Sequence, residues 1–392
     1  MEKLTKLIEQ LCPDRVEYKM LGDIANISRG GSFQKKDFVE EGVPCIHYGQ
    51  IYTKYGLFTN ETFTYISDQL AKKQKYAQPN DIVMAVTSEN IEDVCKCVVW
   101  LGDTPVAVSG HSAIIHHTQN AKYLAYYFHS SMFSTQKRKI AQGTKVIEVS
   151  PDKLNRITIP IPPLEVQAEI VRILDKFTEL TTELTTELTT ELTNRKKQYE
   201  YYSRQLFTAA KNTQLTTLEQ ISLNCDSQRK PVTSNKRTSG IYPYYGASGI
   251  VDYVDAYIFD GDYLLISEDG ANLLARNTPI AFSVSGKIWV NNHAHVLKFD
   301  NYHTRRYVEI YLNSIDLSPY ISGAAQPKLN QKNLNQIEIP LPSVEEQRRI
   351  VAILDRFDKL CNDITEGLPA EIEARQKQYE YYRDKLLSFN CK

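Results

Sequence analysis

The sequence predicts an α+β protein with an internal twofold repeat, in which two mixed α/β globules alternate with two long helices. Residues 154–206 align without a gap on residues 334–386, and 26 of these 53 positions are identical. The segments 12–153 and 212–333 are rich in β-branched and aromatic residues and in Gly, Asn and Pro turn signals. Repetition of a whole supersecondary unit indicates two copies of one structure, each presenting an equivalent surface.

The repeat also divides the chain. With 392 residues, the protein has room for two globules of about 130 to 140 residues, each large enough to bury its own core. We expect a first globule, with an N-terminal helix, at 1–153 and a central helix at 154–211. A second globule at 212–333 and a C-terminal helix at 334–392 complete the predicted organisation.

The two globules correspond weakly to each other. The strand-like segments NDIVMAV and SGHSAIIH of the first match GDYLLIS and NNHAHVLKF of the second. The segments KIAQGTKVIEVS and YISGAAQPKLN also correspond, and each globule ends in a strand of the pattern I-x-I-P, at Ile157–Pro160 and Ile337–Pro340. Both are therefore predicted to be mixed α/β globules.

A long helix is predicted after each of these strands. Pro162 and Pro163 suit the first turn of the first helix, where a missing N–H leaves no hydrogen bond unmade. Ser343, with Glu346 three residues later, has the pattern of a capping box that opens the second. Two helices with the same apolar stripe can pack on each other. The stripe has the three-and-four spacing of one buried face, at Ile170, Ile173, Leu174, Phe177 and Leu180 and again at Ile350, Ile353, Leu354, Phe357 and Leu360.

The first helix carries the run TELTTELTTELTTELT, Thr178–Thr193, with a leucine at every fourth residue. Threonine is a mediocre helix former, so a disordered low-complexity tract or a plain surface helix is an alternative. Because the flanks match the second copy without a gap, we predict one continuous helix of about 40 residues, on the order of 60 Å long. The second copy has Gly367, Leu368 and Pro369 here, which predicts a kink or interruption at Pro369.

Both helices end in the sequence K-Q-Y-E-Y-Y. Aromatic packing at a helix end accounts for some of these tyrosines, and a partner-docking surface displayed twice is compatible with that packing. The candidate docking residues are Tyr199, Tyr201, Tyr202, Tyr379, Tyr381 and Tyr382.

Motifs of catalysis and cofactor binding are missing from the sequence. It contains no G-x-x-x-x-G-K-[ST] phosphate loop and no G-x-G-x-x-G, so neither ATP nor a dinucleotide is expected on this chain. It also lacks an Asn-Pro-Pro-Tyr-like tetrad for amino-methyl transfer and a metal-dependent nuclease motif at a workable spacing. These absences predict a binding protein rather than an enzyme.

Metal binding is not expected either. The seven cysteines are scattered, with no pair at zinc-finger spacing, so reduced thiols are the simpler interpretation. The pairs His293 and His295, and His116 and His117, have no acid or cysteine at ligand spacing. Roles in the core or on a strand face are therefore favoured for these histidines.

Charge and hydropathy say little about partners. The formal net charge is −1, and short basic clusters are more often solvated faces than binding sites. A DNA ligand would require these clusters to converge in space, or another subunit to supply phosphate affinity. The N-terminal segment lacks the apolar stretch of a signal peptide, and no run approaches the roughly 20 residues of a membrane span. A soluble cytoplasmic protein is expected.

The repeated motifs resemble a known family. The segments I-P-[IL]-P-x-[LV]-E-x-Q…I-[VL]-x-I-L-D-[KR]-F, at Ile159–Phe177 and Ile339–Phe357, resemble the two conserved regions of the specificity subunit of type I restriction-modification enzymes. The TTEL tetrads resemble the spacer repeats of one branch of that family, where TAEL is the better-known form; this difference and the number of copies leave the spacer length open. The segment GIYPYYGASGIVDY…GDYLLISEDGANL resembles a target-recognition domain.

This resemblance implies two target-recognition domains held apart by a long antiparallel two-helix coiled coil. Each domain would read one half of a split double-stranded DNA site. Two modification subunits, which bind S-adenosylmethionine and methylate adenine, would dock on the conserved helices, and ATP-driven restriction subunits would join that core. The chain itself would carry no cofactor.

Polar and glycine-rich loops supply the candidate DNA-binding residues, because sequence is read through polar contacts to base edges. In the first globule they are Arg29, Gln34, Lys35, Lys36, Tyr48, Gln50 and Lys145. In the second they are Arg229, Lys230, Tyr245, Ser248, Asn272 and Lys328.

Two other interpretations remain open from the sequence. A duplicated coiled-coil scaffold without a DNA ligand suits the neutral charge, although a scaffold has no reason to diversify its globules while keeping its helices alike. A specificity subunit that serves methylation alone, without restriction partners, has the same sequence features.

Overall fold

The computed structural model describes residues 2–210, 213–323, 326–363 and 366–389, so that Cys391 lies outside the described residues. The chain forms two compact units. Unit 1 comprises Met1–Thr186 together with Glu373–Lys392, and unit 2 comprises Glu187–Ile372.

Unit 1 contains two five-stranded sheets and two short strand pairs among its described residues. Its strands are β1 (Tyr18–Met20), β2 (Ala25–Arg29), β3 (Phe38–Val39), β4 (Val43–Ile46), β5 (Phe58–Thr59), β6 (Thr64–Ile66), β7 (Lys75–Ala77), β8 (Ile82–Ala85), β9 (Thr87–Ser88), β10 (Cys97–Trp100), β11 (Val106–Val108), β12 (Ser112–His117), β13 (Ile147–Glu148) and β14 (Thr158–Pro160). The sheet orders are β2-β12-β8-β10-β5 and β3-β6-β4-β11-β7, and the pairs are β1-β14 and β13-β9.

Short helices cover these sheets. They are α1 (Glu2–Leu11), α2 (Leu21–Ile24), α3 (Tyr48–Thr53), α4 (Asp68–Ala71), α5 (Ala121–Phe128), α6 (Ser131–Ile140) and α7 (Pro151–Leu154). Helix α5 begins at Asn120, whose side chain accepts the N–H of Tyr123, as expected of an N-cap asparagine. Its side chains Tyr123, Leu124 and Tyr126 are fully buried beside the all-apolar strand β8 in the main core.

Helix α8 (Leu164–Ala209) is continuous over 46 residues, which confirms the predicted long helix. Its threonines are accommodated because their hydroxyls bond the preceding turn. Thr186 donates to the carbonyl of Thr182 at 2.7 Å, and Thr193 donates to that of Thr189 at 2.9 Å. Of the leucines in the run, Leu184, Leu188 and Leu192 are half-buried and Leu180 is exposed.

The expected place of the two prolines in the first turn is wrong by one or two residues, because Pro162 and Pro163 directly precede α8. The carbonyl of Pro163 accepts the N–H groups of Val166 and Gln167, so Pro163 opens the helix from outside it. At the second helix, Ser343 is the N-cap and accepts the N–H of Glu346, as predicted.

Unit 2 is built on one six-stranded sheet. Its strands are β15 (Gln214–Thr217), β16 (Leu223–Asn224), β17 (Ser239–Gly246), β18 (Gly249–Val254), β19 (Phe259–Ser267), β20 (Ala281–Val290), β21 (Ala294–Lys298) and β22 (Glu338–Leu341). The sheet order is β16-β21-β19-β20-β17-β18, and β15 pairs with β22. The remaining helices are α9 (Leu218–Ile221), α10 (Asn272–Ala275), α11 (Tyr302–Ser314), α12 (Gln331–Asn335), α13 (Val344–Asn362) and α14 (Leu368–Leu387), and most of α14 belongs to unit 1.

The second helical copy is interrupted, as predicted, but the break lies before Pro369 rather than at it. Helix α13 ends at Asn362 and α14 begins at Leu368, so Pro369 lies in a first turn, where its missing N–H removes no hydrogen bond. At Gly367, a Cβ atom would lie only 2.6 Å from the carbonyl oxygen of Asp363 and 2.7 Å from that of Lys359. The close approach of Gly367 to the end of α13 requires glycine.

The first part of each apolar stripe is buried inside its own unit, whereas the last residues, Leu180 and Leu360, are exposed. In unit 1, Ile170 and Leu174 join the core cluster that contains Tyr126. In unit 2, Ile350 and Leu354 join a cluster with Tyr307 and Phe207. The expected packing of one stripe on the other is therefore not what buries them.

Each unit nevertheless contains an antiparallel helix pair. In unit 1, Phe177 of α8 packs on Tyr382 of α14 and the next residue, Thr178, bonds Tyr379. In unit 2, Tyr202 of α8 packs on Phe357 of α13. None of the described helices is both long and apolar enough to cross a membrane.

Candidate nucleic-acid and partner surfaces

The junction between globule and long helix is built twice in the same way. In unit 1, the buried Gln167 donates to the carbonyl of Pro162 at 2.8 Å and accepts the N–H of Asn120 at 3.0 Å. Asn120 caps α5, so Gln167 ties the start of α8 to the start of a helix in the globule.

In unit 2, Gln347 makes the equivalent contacts. It donates to the carbonyl of Pro342 at 2.7 Å and accepts from the Thr304 hydroxyl, in the first turn of α11, at 2.8 Å. A tyrosine makes a matching hydrogen bond in each unit. Tyr123 donates to the carbonyl of Pro160 at 2.8 Å, and Tyr307 donates to that of Pro340 at 2.6 Å. We call each such junction, together with the helix pair of its unit, a frame. Each globule is held by one frame, and the two frames are alike.

The six candidate docking tyrosines form two matched surfaces on these frames. Tyrosine surface 1, in unit 1, consists of Phe177, Tyr379, Tyr381 and Tyr382, and tyrosine surface 2, in unit 2, consists of Phe357, Tyr199, Tyr201 and Tyr202. In surface 1 the rings of Tyr381 and Tyr382 lie 5.3 Å apart at 73°, and in surface 2 those of Tyr201 and Tyr202 lie 5.3 Å apart at 76°.

Exposure within these surfaces follows the repeat. Tyr381 is 61% exposed and Tyr201 is 60% exposed, which leaves most of each ring in water. Tyr379 and Tyr199 are half-buried, and burial raises the pKa of Tyr199 to about 12. One ring of each triplet is thus held by the frame while another faces outward.

The charges beneath the two surfaces differ. In unit 1, Asp175 accepts from Lys122 and from the Tyr126 hydroxyl, both at 2.8 Å. In unit 2, Arg306 alone faces three carboxylates: Asp355 at 2.9 Å, Asp358 at 3.4 Å and Glu309 at 2.5 Å. Near tyrosine surface 2, three carboxylates therefore share one arginine.

In the globule of unit 1, the segment Ser109–His111 brings two candidate residues together. The Nε of Arg29 donates to the carbonyl of Gly110 at 2.8 Å, and its Nη2 donates to Glu148 at 2.9 Å. The backbone N–H of Tyr48 donates to the hydroxyl of Ser109 at 2.9 Å, and its ring lies 4.9 Å from that of His111.

A close backbone approach makes this convergence possible. A Cβ atom at Gly30 would lie 2.1 Å from the carbonyl oxygen of Ser109, so the residue after Arg29 must be glycine for the two segments to meet.

Behind Tyr48, the buried ring of His47 lies 4.6 Å away and accepts the N–H of Gly49. Burial, and after it the charges of Lys35 and His111, lower the pKa of His47 to about 4, so this imidazole is neutral near pH 7. Lys35 is itself exposed, as are the candidates Gln34 and Lys36 beside it. Gln50 is buried and accepts from the N–H of His47 and the Thr64 hydroxyl, so its side chain is used inside the fold.

Each globule also carries a glycine loop, defined as residues 142–148 in unit 1 and as the described residues 322, 323 and 326–328 in unit 2. The first is closed by backbone bonds between Gln142 and Glu148, at 3.0 and 2.8 Å, and the second by bonds between Ser322 and Lys328, both at 2.8 Å. Gly143 has φ +109° and Gly323 has φ +85°, values that favour glycine. The candidate Lys145 is exposed in the first loop.

A buried charge network supports the second loop. Asp226 lies 2.6 Å from Nδ1 of His295, and Nε2 of His295 donates to the carbonyl of Leu329 at 2.7 Å. Arg229 donates to Glu268 at 2.6 Å, and Lys328 lies 3.1 Å from the other oxygen of Glu268. Both ring nitrogens of His295 therefore face an oxygen atom inside the network.

These partners set the ionisation of the two acids. Burial alone would raise the pKa of Asp226, but the hydrogen bond and charge of His295 hold it below its ordinary value. Burial likewise opposes ionisation of Glu268, and the hydrogen bond from Arg229, the charge of His295 and Lys328 together lower its pKa.

Asp226, Glu268 and His295 have ligand atoms within 4.8 Å of one another, a geometry that could hold a metal ion. Arg229 and Lys328 already supply positive charge to the same carboxylates, which disfavours a further cation.

The remaining candidates lie around this network. Lys230 and Ser248 are exposed, and Tyr245 is half-buried with its ring 6.1 Å from that of Phe282. Asn272 exchanges two 3.0 Å hydrogen bonds with the backbone of Thr278 and so closes its own loop. Arg229 has a side chain only 13% exposed, which directs it to the network rather than to the surface.

Sequence spacing missed the acids of this network and those beside other histidines. Asp226 lies 69 residues from His295, and Asp81 lies 35 residues from His116, whose Nδ1 it approaches at 2.6 Å. Acids therefore accompany these histidines in space, although none stands at ligand spacing in the sequence. No signal in one sequence marks such pairs, because only the sheet brings them together.

Comparison with known proteins gives consistent results. The chain matches the model of the type I restriction modification DNA specificity domain twice, at residues 13–194 and 211–374. The EcoprrI type I restriction enzyme specificity subunit of Escherichia coli is 31% identical over 382 residues, which cover 93% of each chain. A Haemophilus influenzae relative with a type I specificity-subunit name is 39% identical over 177 residues, 44% of this chain and 46% of that relative.

One solved structure, on complex assembly and conformational transition of the type I R-M system, contains a chain of similar fold. Its TM-score is 0.72 with 16% sequence identity, and the match covers 96% of this chain and 98% of that one. At this identity the likeness concerns the fold alone.

Proposed function

The chain belongs to the type I restriction-modification DNA specificity family and is a non-catalytic subunit that confers DNA sequence specificity; from this premise, we propose that its two globules read the two halves of one bipartite site. The first target-recognition domain would be residues 1–153 and the second 212–333. Helical segments 154–211 and 334–392 would serve the assembly with partners.

One observation carries this proposal: the frames repeat their glutamine and tyrosine bonds to proline carbonyls, whereas the globules on them differ. Gln167 and Gln347 make the same tie, yet one globule has two five-stranded sheets and the other has a single six-stranded sheet. Equivalent partners require equivalent frames, and two different half-sites require different globules. A scaffold without a DNA ligand explains the first property only.

For the partners, we propose two methyltransferase subunits, one on each tyrosine surface. Exposed tyrosines of rigid orientation are typical anchors of protein interfaces, since they bury a large area at low entropic cost. S-adenosylmethionine would be bound by these partners, and ATP by restriction subunits that join the complex. The near-neutral chain suits this arrangement, because partners can supply phosphate contacts.

For DNA contact, the exposed members of the candidate set are proposed as the residues that approach the duplex: Gln34, Lys35, Lys36, Lys145, Lys230 and Ser248, with the partly exposed Arg29, Tyr48, Tyr245 and Lys328. For the buried Gln50, the locally bonded Asn272 and the network member Arg229, we propose that they shape these loops from within.

Mass measurement of the chain co-expressed with its methyltransferase partner tests the assembly. We expect two partner copies per chain, and one copy in a variant that carries both Tyr381→Ala and Tyr382→Ala. A stable one-to-one complex of the unaltered chain would contradict the twofold proposal.

Exchange of residues 212–333 for the equivalent domain of another specificity subunit tests the reading of half-sites. Methylome sequencing of a host with the exchanged complex should show one half of the methylated site changed and the other half kept. A change in both halves would refute independent reading.

A further inference from the structure

Two histidines occupy the same place in the two globules. In unit 1, the carbonyl of His111 accepts the N–H of Val86, the residue directly after β8, at 2.9 Å. In unit 2, the carbonyl of His293 accepts the N–H of Glu268, the residue directly after β19, at 2.9 Å. Each histidine also lies one residue before its next strand, β12 or β21.

The strand register confirms the equivalence. Ser112, which follows His111, pairs with Ala85, the last residue of β8. Ala294, which follows His293, pairs with Ser267, the last residue of β19. The two histidines are therefore matched in backbone position, although the surrounding globules differ in their sheets.

Both histidine side chains are exposed to solvent, and each is contacted by one neighbouring side chain. The side chain of His293 is 51% exposed, and its Nδ1 lies 2.9 Å from a carboxylate oxygen of Asp269. His111 is exposed, and its ring lies 4.9 Å from that of Tyr48. The main chain of each histidine makes the bond to the sheet, so the ring is not needed for that bond.

Each histidine has a partly exposed cation and a glycine loop beside it. In unit 1, Arg29, whose side chain is 49% exposed, bonds the carbonyl of the preceding residue, Gly110, and also bonds Glu148 at the end of the first loop. In unit 2, Lys328, whose side chain is 51% exposed, pairs through its backbone with Asp269, the partner of His293. Positive charge at both places suits a polyanion such as duplex DNA.

We propose that His111 and His293 are specificity-determining residues, each of which contacts a base edge in the half-site read by its own domain. This inference rests on the proposed reading of a bipartite site. An imidazole offers a donor or an acceptor at a ring nitrogen, which suits base edges, whereas Arg29 and Lys328 suit phosphates as well as bases. Asp269 orients the ring of His293, and Tyr48 restricts that of His111.

The test uses the chain assembled with its methyltransferase partner and three variants: His111→Ala, His293→Ala and His116→Ala. Binding is measured on the cognate duplex, on duplexes with each recognised base pair replaced in turn, and on a random duplex. For His111→Ala we expect a loss of roughly 10- to 100-fold on the cognate duplex and relaxed selectivity at one or two adjacent base pairs of one half-site only.

For His293→Ala the same change should fall in the other half-site. His116 is also exposed, but it lies near the end of β12 that is farther from His111, and its ring bonds Asp81. His116→Ala should therefore leave selectivity unaltered. His111→Asn and His293→Asn, which keep a side-chain donor and acceptor, should retain more selectivity than the alanine variants.

Three outcomes would overturn the inference: no loss in either variant, relaxation in both halves by one variant, or an equal loss on cognate and random duplexes, which indicates phosphate contact. If the unaltered complex discriminates no base pair, the proposed function itself fails. If it discriminates in both halves and the two variants discriminate equally well, only the histidine inference fails.

Discussion

Unit 1 and unit 2 fix the glycine loop of their globules by opposite means. In unit 1, the loop ends at Glu148, which forms a half-exposed salt bridge with Arg29. In unit 2, the matched loop position is Lys328, which joins a buried network of Asp226, Glu268 and His295. The same place in the fold thus carries an acid in one globule and a base in the other.

The frames, unlike the loops, are alike in the two units, because their hydrogen bonds repeat with nearly the same distances. Gln167 and Gln347, and likewise Tyr123 and Tyr307, make matching bonds to proline carbonyls. The two units therefore share one set of contacts and differ in another. The contacts between globule and long helix are kept, while the glycine loops change in charge and in burial.

The largest expected effect is on stability, and it tests the difference in how the two glycine loops are fixed. Asp226→Asn leaves the positive groups of the network without one buried counter-charge, which should destabilise unit 2 by about 3 to 5 kcal/mol. The matched change in unit 1, Glu148→Gln, removes only an exposed pair and should cost about 1 kcal/mol or less.

Urea unfolding measures both effects, because each unit has one tryptophan: Trp100 in unit 1 and Trp289 in unit 2. Fluorescence of chains with a single tryptophan reports each unit separately. Equal destabilisation by the two substitutions would show that the buried network is no more important than the surface pair.

The next effect is on partner affinity, and it tests whether the two tyrosine surfaces are equivalent. Tyr381→Ala and Tyr201→Ala each remove a ring that is about three-fifths exposed, and each should weaken one partner site by about 2 kcal/mol if the ring is an anchor. Titration of the methyltransferase partner followed by mass photometry measures this loss. Tyr253→Ala, on an exposed strand outside both surfaces, serves as the control and should change nothing.

A difference between the two tyrosine variants is also informative. Because Asp355, Asp358 and Glu309 lie under surface 2, its partner affinity should depend more on salt than that of surface 1. Identical salt dependence at both sites would show that these acids are screened from the partner.

Within the loops that we propose to contact DNA, the expected effects are of similar size. Lys328→Ala should weaken binding to the specific duplex by roughly 1 to 3 kcal/mol if the ammonium touches a base edge, and Tyr245→Ala should do the same. Competition with random duplex DNA separates the two roles. A loss of equal size on both duplexes would assign the residue to phosphate instead.

The smallest expected effect is a difference between the two units in how their stability depends on acid pH. The folded pKa values of Asp226 and Glu268 are lowered, so their ion pairs stabilise unit 2 fully above the unfolded pKa values, about 4 for both acids. This stabilisation is lost as the pH falls through the lower folded values. In unit 1, hydrogen bonds from Arg172 and Lys3 lower the pKa of Glu169 to about 2, so its contribution is lost only as the pH falls through about that value.

Unfolding midpoints of the single-tryptophan chains between pH 7 and pH 2.5 test this prediction. Asp226→Asn should make the acid dependence of unit 2 shallower. An unchanged slope in that variant would mean that other carboxyls cause the loss.

The sequence by itself determined the repeat, the continuity of α8 and the presence of a break in the second helix, although not the exact place of that break. These features depend on residues close together in the chain: a four-residue leucine period, prolines at helix starts, and Gly367 against the end of α13. Local hydrogen bonding and side-chain spacing fix a helix within a few turns, so one sequence is enough to predict it.

Only the tertiary structure decided how the candidate site residues are used. It buries Gln50, directs Arg229 inward, and brings Asp226 to His295 across 69 residues. It also directs each apolar stripe to its own globule and matches His111 with His293 by a shared main-chain bond. Such contacts depend on strand order and register, which long-range packing sets and which local spacing does not encode.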